Sequence, residues 1–400
     1  MAARARGGHA ERPGDARCAG GPQEARRGRG LRARTVLYLH SSAGLYGADR
    51  QLLAIAARLN RERFTPVAVL PERGELAGPL EEAGVEVVVH PLPVLRREVL
   101  GSAGAALALA RRRLRETRAL ARVASEHDAA ILHSNTSVVL GGRAAARRAG
   151  ARHVMHVREI YAGAGGRGSS LLWPLMRRRI ERADCLVCIS RAVASQFRKP
   201  TVVYDGLPRE PGRSDRGAAR AALDLPEDAF VVAVVGRLSD WKGQLELADA
   251  VDGTGMVALV AGDPFPGNDW IERELAGREG IRLLGFREDV ETVLGAADAL
   301  AVPSTRPEPL GLVALEAAAA GVPVVASAHG GLPEIVRDGE TGLLVPPGDR
   351  AALAAALRRL ADDPSLGPRL GEAAARDVHA RFAPDRMVRE LEVLYEDLLL

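Results

Sequence analysis

The chain alternates short apolar runs with longer segments of helical periodicity, and it does so twice in series. Nothing else in the sequence restricts the fold as tightly, because strands alternating with helices lie parallel in a sheet that helices cover on both faces. The first series runs through Thr35–His40, Phe64–Leu70, Val85–His90, Ala129–His133, His153–Val157 and Cys185–Ser190. Helical periodicity fills the gaps near 48–60, 74–83, 99–127, 137–149, 169–182 and 191–197. The second series comprises Phe230–Val235, Val257–Ala261, Ile281–Leu284, Leu300–Pro303, Val322–Ala326 and Gly342–Val345, with helices near 243–251, 269–277, 288–297, 311–320 and 331–337. Asp205–Asp228, rich in Gly, Pro, Arg and acids, reads as the linker between them. Helices at 350–361, 365–382 and 384–399 close the chain. The expected architecture is α/β: two Rossmann-like, doubly wound domains in series, with their strand C-termini and therefore their ligand crevices within reach of each other.

A length of 400 residues fits two or three domains. No apolar run reaches the 18 or more residues of a membrane-spanning helix. The formal charge of +4 misleads: residues 1–34 hold nine arginines against Glu11, Asp15 and Glu24, a net +6, which leaves the other 366 residues at −2. The folded body is nearly neutral, and specific nucleic-acid binding is not expected of it. The tail 1–34 lacks the apolar core of a secretory signal and has the composition of a disordered extension. Electrostatic contact with an anionic membrane or nucleic acid is its alternative reading. Cys185 and Cys188 form C-x-x-C inside a strand, where positions three apart face opposite sides, so buried strand cysteines fit better than a redox pair or zinc half-site. With Cys18 the count is odd, which suits a reducing, cytoplasmic compartment. The helix at 99–127 carries Arg111, Arg112, Arg113, Arg115, Arg118 and Arg122 around an Ala/Leu face. It reads as a solvated outer face or as a peripheral contact with the inner face of a membrane.

Three segments carry the chemistry. In Arg306–Ser327 one acid, Glu308, lies in a turn pinned by Pro307 and Pro309, and a second, Glu316, lies about two helical turns later. Gly311 keeps the helix start free of bulk, and a helix start with open N–H groups accepts an anion. Phosphate on the amides and hydroxyls on the acids is equipment for a sugar phosphate; two unrelated surface acids are the alternative. The loop Val235–Gly243 places Arg237 and Lys242 between a buried strand and a helix, suited to a diphosphate without a metal. The loop Ser41–Asp49, with Gly44 and Gly47, is a second and weaker anion loop, or simply a tight turn. Gly163–Gly168 matches G-x-G-x-x-G, but it lies late in its domain and no acid ends a strand at the right distance, so an active-site loop fits better than a dinucleotide site. Polar residues end two first-domain strands: His133-Ser-Asn135-Thr136, and His156-Val-Arg158-Glu159 with His156 and Arg158 on one strand face. They are candidates for binding an acceptor or a leaving phosphate, or they are satisfied structural groups.

Together these segments, from about Thr35 to the C-terminus, resemble the family-4 retaining glycosyltransferases of the GT-B fold. The resemblance rests on Gly236-Arg-x4-Lys-Gly243, on the E-x7-E pair Glu308 and Glu316 followed by Gly-Val-Pro-Val-Val, and on Gly330-Gly-Leu-Pro-Glu334 with Asp338-Gly-Glu-Thr-Gly-Leu-Leu-Val345. It implies an acceptor domain at 35–205, a linker at 206–228, a nucleotide-sugar domain at 229–383, and a helix at 384–400 that crosses back to the first domain. It also implies roles. Glu316 holds ribose hydroxyls; Arg237 and Lys242 hold the diphosphate, helped by Gly236 and the backbone of Leu310, Gly311, Leu312 and Val313. Glu308 holds the transferred sugar, and Phe286 and Arg287 border the base. Gly44, Gly47, Asp49, Asn135 and Glu159 face donor and acceptor, and His156 or Arg158 stands at the reacting centre. The sequence departs from the family in having Gly47-Ala-Asp49 where many relatives have Gly-Gly-x-Glu. Many relatives also end the strand of residues 156–159 in His, at a position that falls here on Arg158. The implied activity is transfer of a sugar, with retention, from a nucleotide-diphosphate sugar to a glycan, lipid or small-molecule hydroxyl. No metal and no cofactor beyond the donor itself are expected. An epimerase or hydrolase on the same fold, or a non-catalytic nucleotide-sugar binder, are the alternatives.

Overall fold

The computed structural model describes residues 33–95, 103–161, 167–208, 212 and 214–400. Two parallel sheets organise them. The first contains β1 (Arg34–Leu39), β2 (Phe64–Leu70), β3 (Glu86–Val89), β4 (Ala129–Ser134), β5 (Arg152–Val157), β6 (Cys185–Cys188) and β7 (Thr201–Val202), in the order β3-β2-β1-β4-β5-β6-β7. The second contains β8 (Val231–Val235), β9 (Val257–Ala261), β10 (Ile281–Gly285), β11 (Ala299–Val302), β12 (Val324–Ser327) and β13 (Gly342–Val345), in the order β10-β9-β8-β11-β12-β13. Every named pairing is parallel, so each connection crosses over through a helix or a loop and both sheet faces are covered. Each order reverses once, between β1 and β4 and between β8 and β11. A crevice opens at such a reversal because adjacent connections leave to opposite faces. The loops after β1, β8 and β11 are the ones the sequence marks as anion-binding.

Burial explains the strand composition. Val36–Leu39 are fully buried, as are Val231–Ala233. One face of the first sheet packs under the helix Gly47–Arg58 and the last helix, Pro384–Leu399, through Tyr38, Ile131, Val154, Leu391 and Tyr395. The opposite face packs under Ala103–Glu126 and Gly142–Ala149. The last helix is fastened by polar contacts too: the Tyr395 hydroxyl lies 3.2 Å from that of Tyr38, and Glu392 accepts from the Asn60 N–H at 2.7 Å. Cys185 and Cys188 are unpaired and belong to packing clusters on opposite faces of the sheet; burial pushes the Cys188 thiol up to about 12. No described helix is long and apolar enough to cross a membrane.

Three segments differ from the sequence expectation. β7 is two residues long, too short to register as a periodic run. The helix expected at 137–149 starts only at Gly142, because Ser137–Leu140 form a turn beyond β4. Within the stretch read as linker, Arg216–Ala222 form a helix whose N-terminus is capped by Asp215. Its composition looked like a linker because its one anchoring side chain is charged. Arg220, 1% exposed, donates to the carbonyls of Pro226, Glu227, Ala229 and Ala296 and to Asp298, which also accepts from the Val231 N–H. Arg220→Ala strands these acceptors and an unpaired carboxylate, so it should destabilise the fold by about 3–5 kcal/mol. Chemical denaturation checks this; a loss below about 1 kcal/mol would show that the knot is dispensable. Most of the tail 1–34, the start of the 99–127 helix and most of Gly163–Gly168 lie outside the described residues.

Candidate functional site

The second-sheet half of the site is built from loops at strand C-termini. Beyond β8, Lys242 Nζ reaches Glu308 Oε1 at 2.7 Å, and Ser304 Oγ donates to the same oxygen at 2.6 Å. Glu308 is 4% exposed, so this carboxylate is a buried charge held by one cation and one hydroxyl. Its backbone is equally constrained. Gly331 N–H donates to Glu308 O at 2.8 Å, and Gly330, at φ +61°, lies so close that a Cβ there would stand 2.3 Å from the same oxygen. That contact is why two glycines open the Gly330–Glu334 segment. Leu310 is buried, while Gly311, Leu312, Val313 and Glu316 are half-buried at the start and on the second turn of the helix Leu312–Ala319. The structure therefore places Glu308 and Glu316 at the two ends of one short backbone ramp, with the open amides between them.

Arg237 is exposed and lies 4.4 Å from the Tyr46 ring and 5.2 Å from the Phe265 ring, a cation held between aromatic faces from the two halves of the molecule. Gly236 precedes it at φ +136°. Phe286 is 51% exposed beyond β10, and its N–H is fixed by Asp263 at 2.9 Å; Arg287 pairs with Asp289 at 2.6 Å. An exposed, backbone-anchored aromatic at this rim offers a flat face to a base. Sequence reasoning missed Ser304, Tyr46, Phe265 and His329. Both ring nitrogens of His329, in the loop after β12 that lies on Glu308, are buried without a hydrogen-bond partner. A polar group in that state costs about 1–3 kcal/mol unless something else completes it. Its place beside Gly330-Gly331 was the only signal.

The first-sheet half is a single buried chain of hydrogen bonds. Asp49, 2% exposed, accepts from His40 at 2.6 Å, from Ser42 at 2.5 Å and from the Tyr46 N–H at 2.9 Å. Burial pushes the Asp49 carboxyl up, but these three donors more than offset that and leave it below its usual value. Asn135 Nδ2 meets the other nitrogen of His40 at 3.1 Å, and Asn135 O and Oδ1 accept from Arg158 at 3.0 and 3.2 Å. Arg158 ends on buried Asp205. Asp49 and Arg158 therefore act on the loops they hold. Asp49 fixes the Gly44–Gly47 turn, and Arg158 fixes the ends of β4 and β5. His40 and Asp205, which complete the chain, were not legible as site residues because their contacts with Asn135 and Arg158 join segments 47 to 95 residues apart. Glu159 accepts from Ser137 at 2.5 Å, and Ser137 also meets the Tyr161 hydroxyl.

His156 sits elsewhere. It is 0% exposed, and its Nδ1 lies 3.2 Å from His133, whose other nitrogen meets Tyr395 at 2.6 Å. His156 thus faces the sheet side covered by the last helix. Although His156 and Arg158 share a strand parity, β5 ends at Val157, and only Arg158 lies beyond the last ladder residue.

The halves meet at small residues and polar clamps. A Cβ on Gly47 would stand 3.0 Å from Leu312 Cδ1, so glycine there lets the first loop approach the Leu312–Ala319 helix. Ser190 Oγ donates to Pro309 O at 2.5 Å, and Glu334 accepts from the Arg191 and Ala192 N–H groups and from the Tyr204 hydroxyl at 2.7–2.9 Å. The Glu308 turn is thereby tied to both domains.

Residues 46–206 match the model of the glycosyl transferase 4-like domain, and residues 215–377 match that of glycosyl transferases group 1. Together with the two facing sheets, these matches place the chain among the glycosyltransferases of the GT-B fold. It is 40% identical over 223 residues to a D-inositol 3-phosphate glycosyltransferase of Streptomyces avermitilis and 40% identical over 235 residues to that of Streptomyces coelicolor. These matches cover half of this chain and 47% and 50% of those proteins, so the chain spans about half the length of the curated relatives it matches. Among solved structures it superposes on HepE from Anabaena in complex with UDP-glucose, with a TM-score of 0.77, 25% identity, and coverage of 91% of this chain and 99% of that one. Sucrose-phosphate synthase from Thermosynechococcus elongatus shares the fold, with a TM-score of 0.72, 22% identity, and coverage of 91% and 99%.

Proposed function

We propose that the protein transfers a sugar from a nucleotide-diphosphate sugar to a hydroxyl acceptor, with retention at the anomeric carbon. The observation that carries this reading is the ramp from Glu308 to Glu316, with Lys242 ion-paired to Glu308, and Arg237 between Tyr46 and Phe265 on the neighbouring loop after β8. In this reading Glu316 takes ribose hydroxyls, the Leu312–Val313 amides with Arg237 and Lys242 take the diphosphate, and Glu308 takes sugar hydroxyls. HepE, similar over nearly the whole chain, binds UDP-glucose, which supports a uridine donor as the first to assay. The inositol phosphate glycosyltransferases support a polyol acceptor.

In the transition state the sugar becomes oxocarbenium-like as negative charge grows on the leaving diphosphate. Arg237, Lys242 and the helix amides are positioned before that charge appears, which is the condition for effective electrostatic catalysis. A leaving phosphate oxygen on the same face takes the acceptor proton, so that attack and departure occur on one side. Glu316, committed to ribose, is not a nucleophile in this scheme, and no metal is required.

Calorimetry with UDP-glucose in excess chelator tests the reading. Donor binding should persist, and Glu316→Gln should weaken it about 10–150-fold, the cost of a charge-assisted hydrogen bond. Equal affinity in both proteins would remove Glu316 from the ribose site. Release of free sugar without any acceptor would favour the hydrolase alternative.

A further inference from the structure

A second concavity lies on the face of the first sheet covered by Gly142–Ala149, and none of the candidate-site residues named above lines it. It is a groove of about 490 Å³ between that helix and Arg167–Ile180, with His153 and Met155 of β5 on its floor. Six guanidinium groups wall it: Arg143, Arg147 and Arg148 on one side, Arg179 and Arg182 on the other, and Arg113 from Ala103–Glu126. No carboxylate lines it, and among the described residues none of the six is ion-paired. Glu181, between Arg179 and Arg182 in sequence, pairs with Arg177 at 3.0 Å and accepts from the Arg198 N–H, and Asp184 accepts from the His153 N–H at 2.8 Å.

Like charges gathered without counter-charges repel one another and lower stability, so a native fold keeps such a cluster where something neutralises it. Two further observations point to a ligand. His153 is 1% exposed, and its Nδ1 is buried without a partner while Nε2 meets Ser134 at 3.0 Å. Arg143 Nε is buried without a partner as well. Burial, and next the repulsion from Arg113, pull Arg179 down to about 10, and the arginine field with burial pulls His153 down to about 3. Arg179 donates to the carbonyls of Ser137 and Val139 at 3.1 and 2.6 Å, so it stands as a fixed positive wall, while His153 Nδ1 and Arg143 Nε are the buried donors or acceptors that still lack a partner. Guanidinium matches phosphate oxygens two at a time, and several forks around one concavity suit a phosphate ester better than a single carboxylate.

We propose that this groove binds a phosphate-bearing anion, outside the sugar-transfer cleft. The phosphate is carried either by a soluble ester or by a lipid headgroup. Leu175, 69% exposed one turn before Arg179, and Leu114, 59% exposed beside Arg113, stand next to the guanidiniums as apolar side chains open to solvent.

The experiment uses the full chain carrying Arg237→Ala and Lys242→Ala, so that the interdomain cleft cannot take the probe. Inorganic pyrophosphate is titrated by calorimetry, and vesicles of phosphatidic acid in phosphatidylcholine are tested by flotation against pure phosphatidylcholine. Adding Arg143→Gln with Arg147→Gln should weaken pyrophosphate binding, vesicle binding, or both by at least about tenfold. The exposed single change Arg147→Glu serves as a second variant with little to lose in packing. Loss of pyrophosphate binding identifies a soluble ester. Loss confined to the anionic vesicles identifies a lipid headgroup. Absence of binding to both probes, or binding that neither variant alters, overturns the proposal.

Discussion

Lys242→Ala is expected to lower kcat by about 10²–10³, the cost of removing one preorganised donor from developing transition-state charge. The effect should appear in turnover more than in acceptor KM, because the charge Lys242 meets grows only as the diphosphate departs. The substitution has a second consequence. It leaves Glu308, 4% exposed, with Ser304 as its remaining side-chain donor. An uncompensated buried carboxylate is costly, so the variant should also melt earlier. Glu308→Gln in the Lys242→Ala background should restore part of the melting temperature but none of the turnover. Additive changes in both quantities would mean that the two residues do not act as a pair. Lys242→Ala with unaltered transfer kinetics would remove the lysine from the chemistry altogether.

Stability should fall steeply on mild acidification. His133, His153 and His156 are buried, and burial first, then the charges of neighbouring arginines or histidines, holds all three far below the usual imidazole range. A group whose folded value is depressed takes up protons in the unfolded chain before the folded one. The stability from these histidines is therefore complete above about pH 6.5 and is lost as the pH falls below it. Each contributes on the order of 1 kcal/mol per pH unit in that window, roughly 4 kcal/mol together. Asp205 and Glu159, raised by burial, act in the opposite direction, but they are two groups against three. The melting temperature should drop by on the order of 10 °C between about pH 7.5 and about pH 5. His153→Gln should flatten the slope by about a third. A melting temperature constant over this range would contradict the buried, neutral assignment.

The part of the second-domain candidate site that runs from Glu308 to Glu316 was largely legible because its residues lie close together in sequence. Glu308, the amides of Leu312 and Val313, and Glu316 occupy one turn and one helix, and local rules of turn and helix geometry place them. The first-domain site was only half legible. Asn135 and Arg158 were found as polar residues at strand ends, and Asp49 as the acid that closes the Ser41–Asp49 loop. Their connection through His40 and Asp205 depends on which strands are neighbours, and β1 lies next to β4 rather than to β3. The same cause explains His156. Strand parity pairs it with Arg158, but parity does not show where the ladder stops or which face the last helix covers.

By itself, then, the sequence determined the alternation of strands and helices, the two-domain α/β class and the acid-and-cation loops of the second domain. These follow from periodicity and from contacts within about twenty residues. Only the tertiary structure decided that Tyr46 faces Arg237, that Gly47 abuts Leu312, that Arg220 turns a supposed linker into a packed helix, and that six arginines from three helices and the turn after the last of them share one groove. Each of these joins residues far apart in the chain, whose meeting is fixed by strand order and by the packing of helices over the sheets, and no local pattern records either.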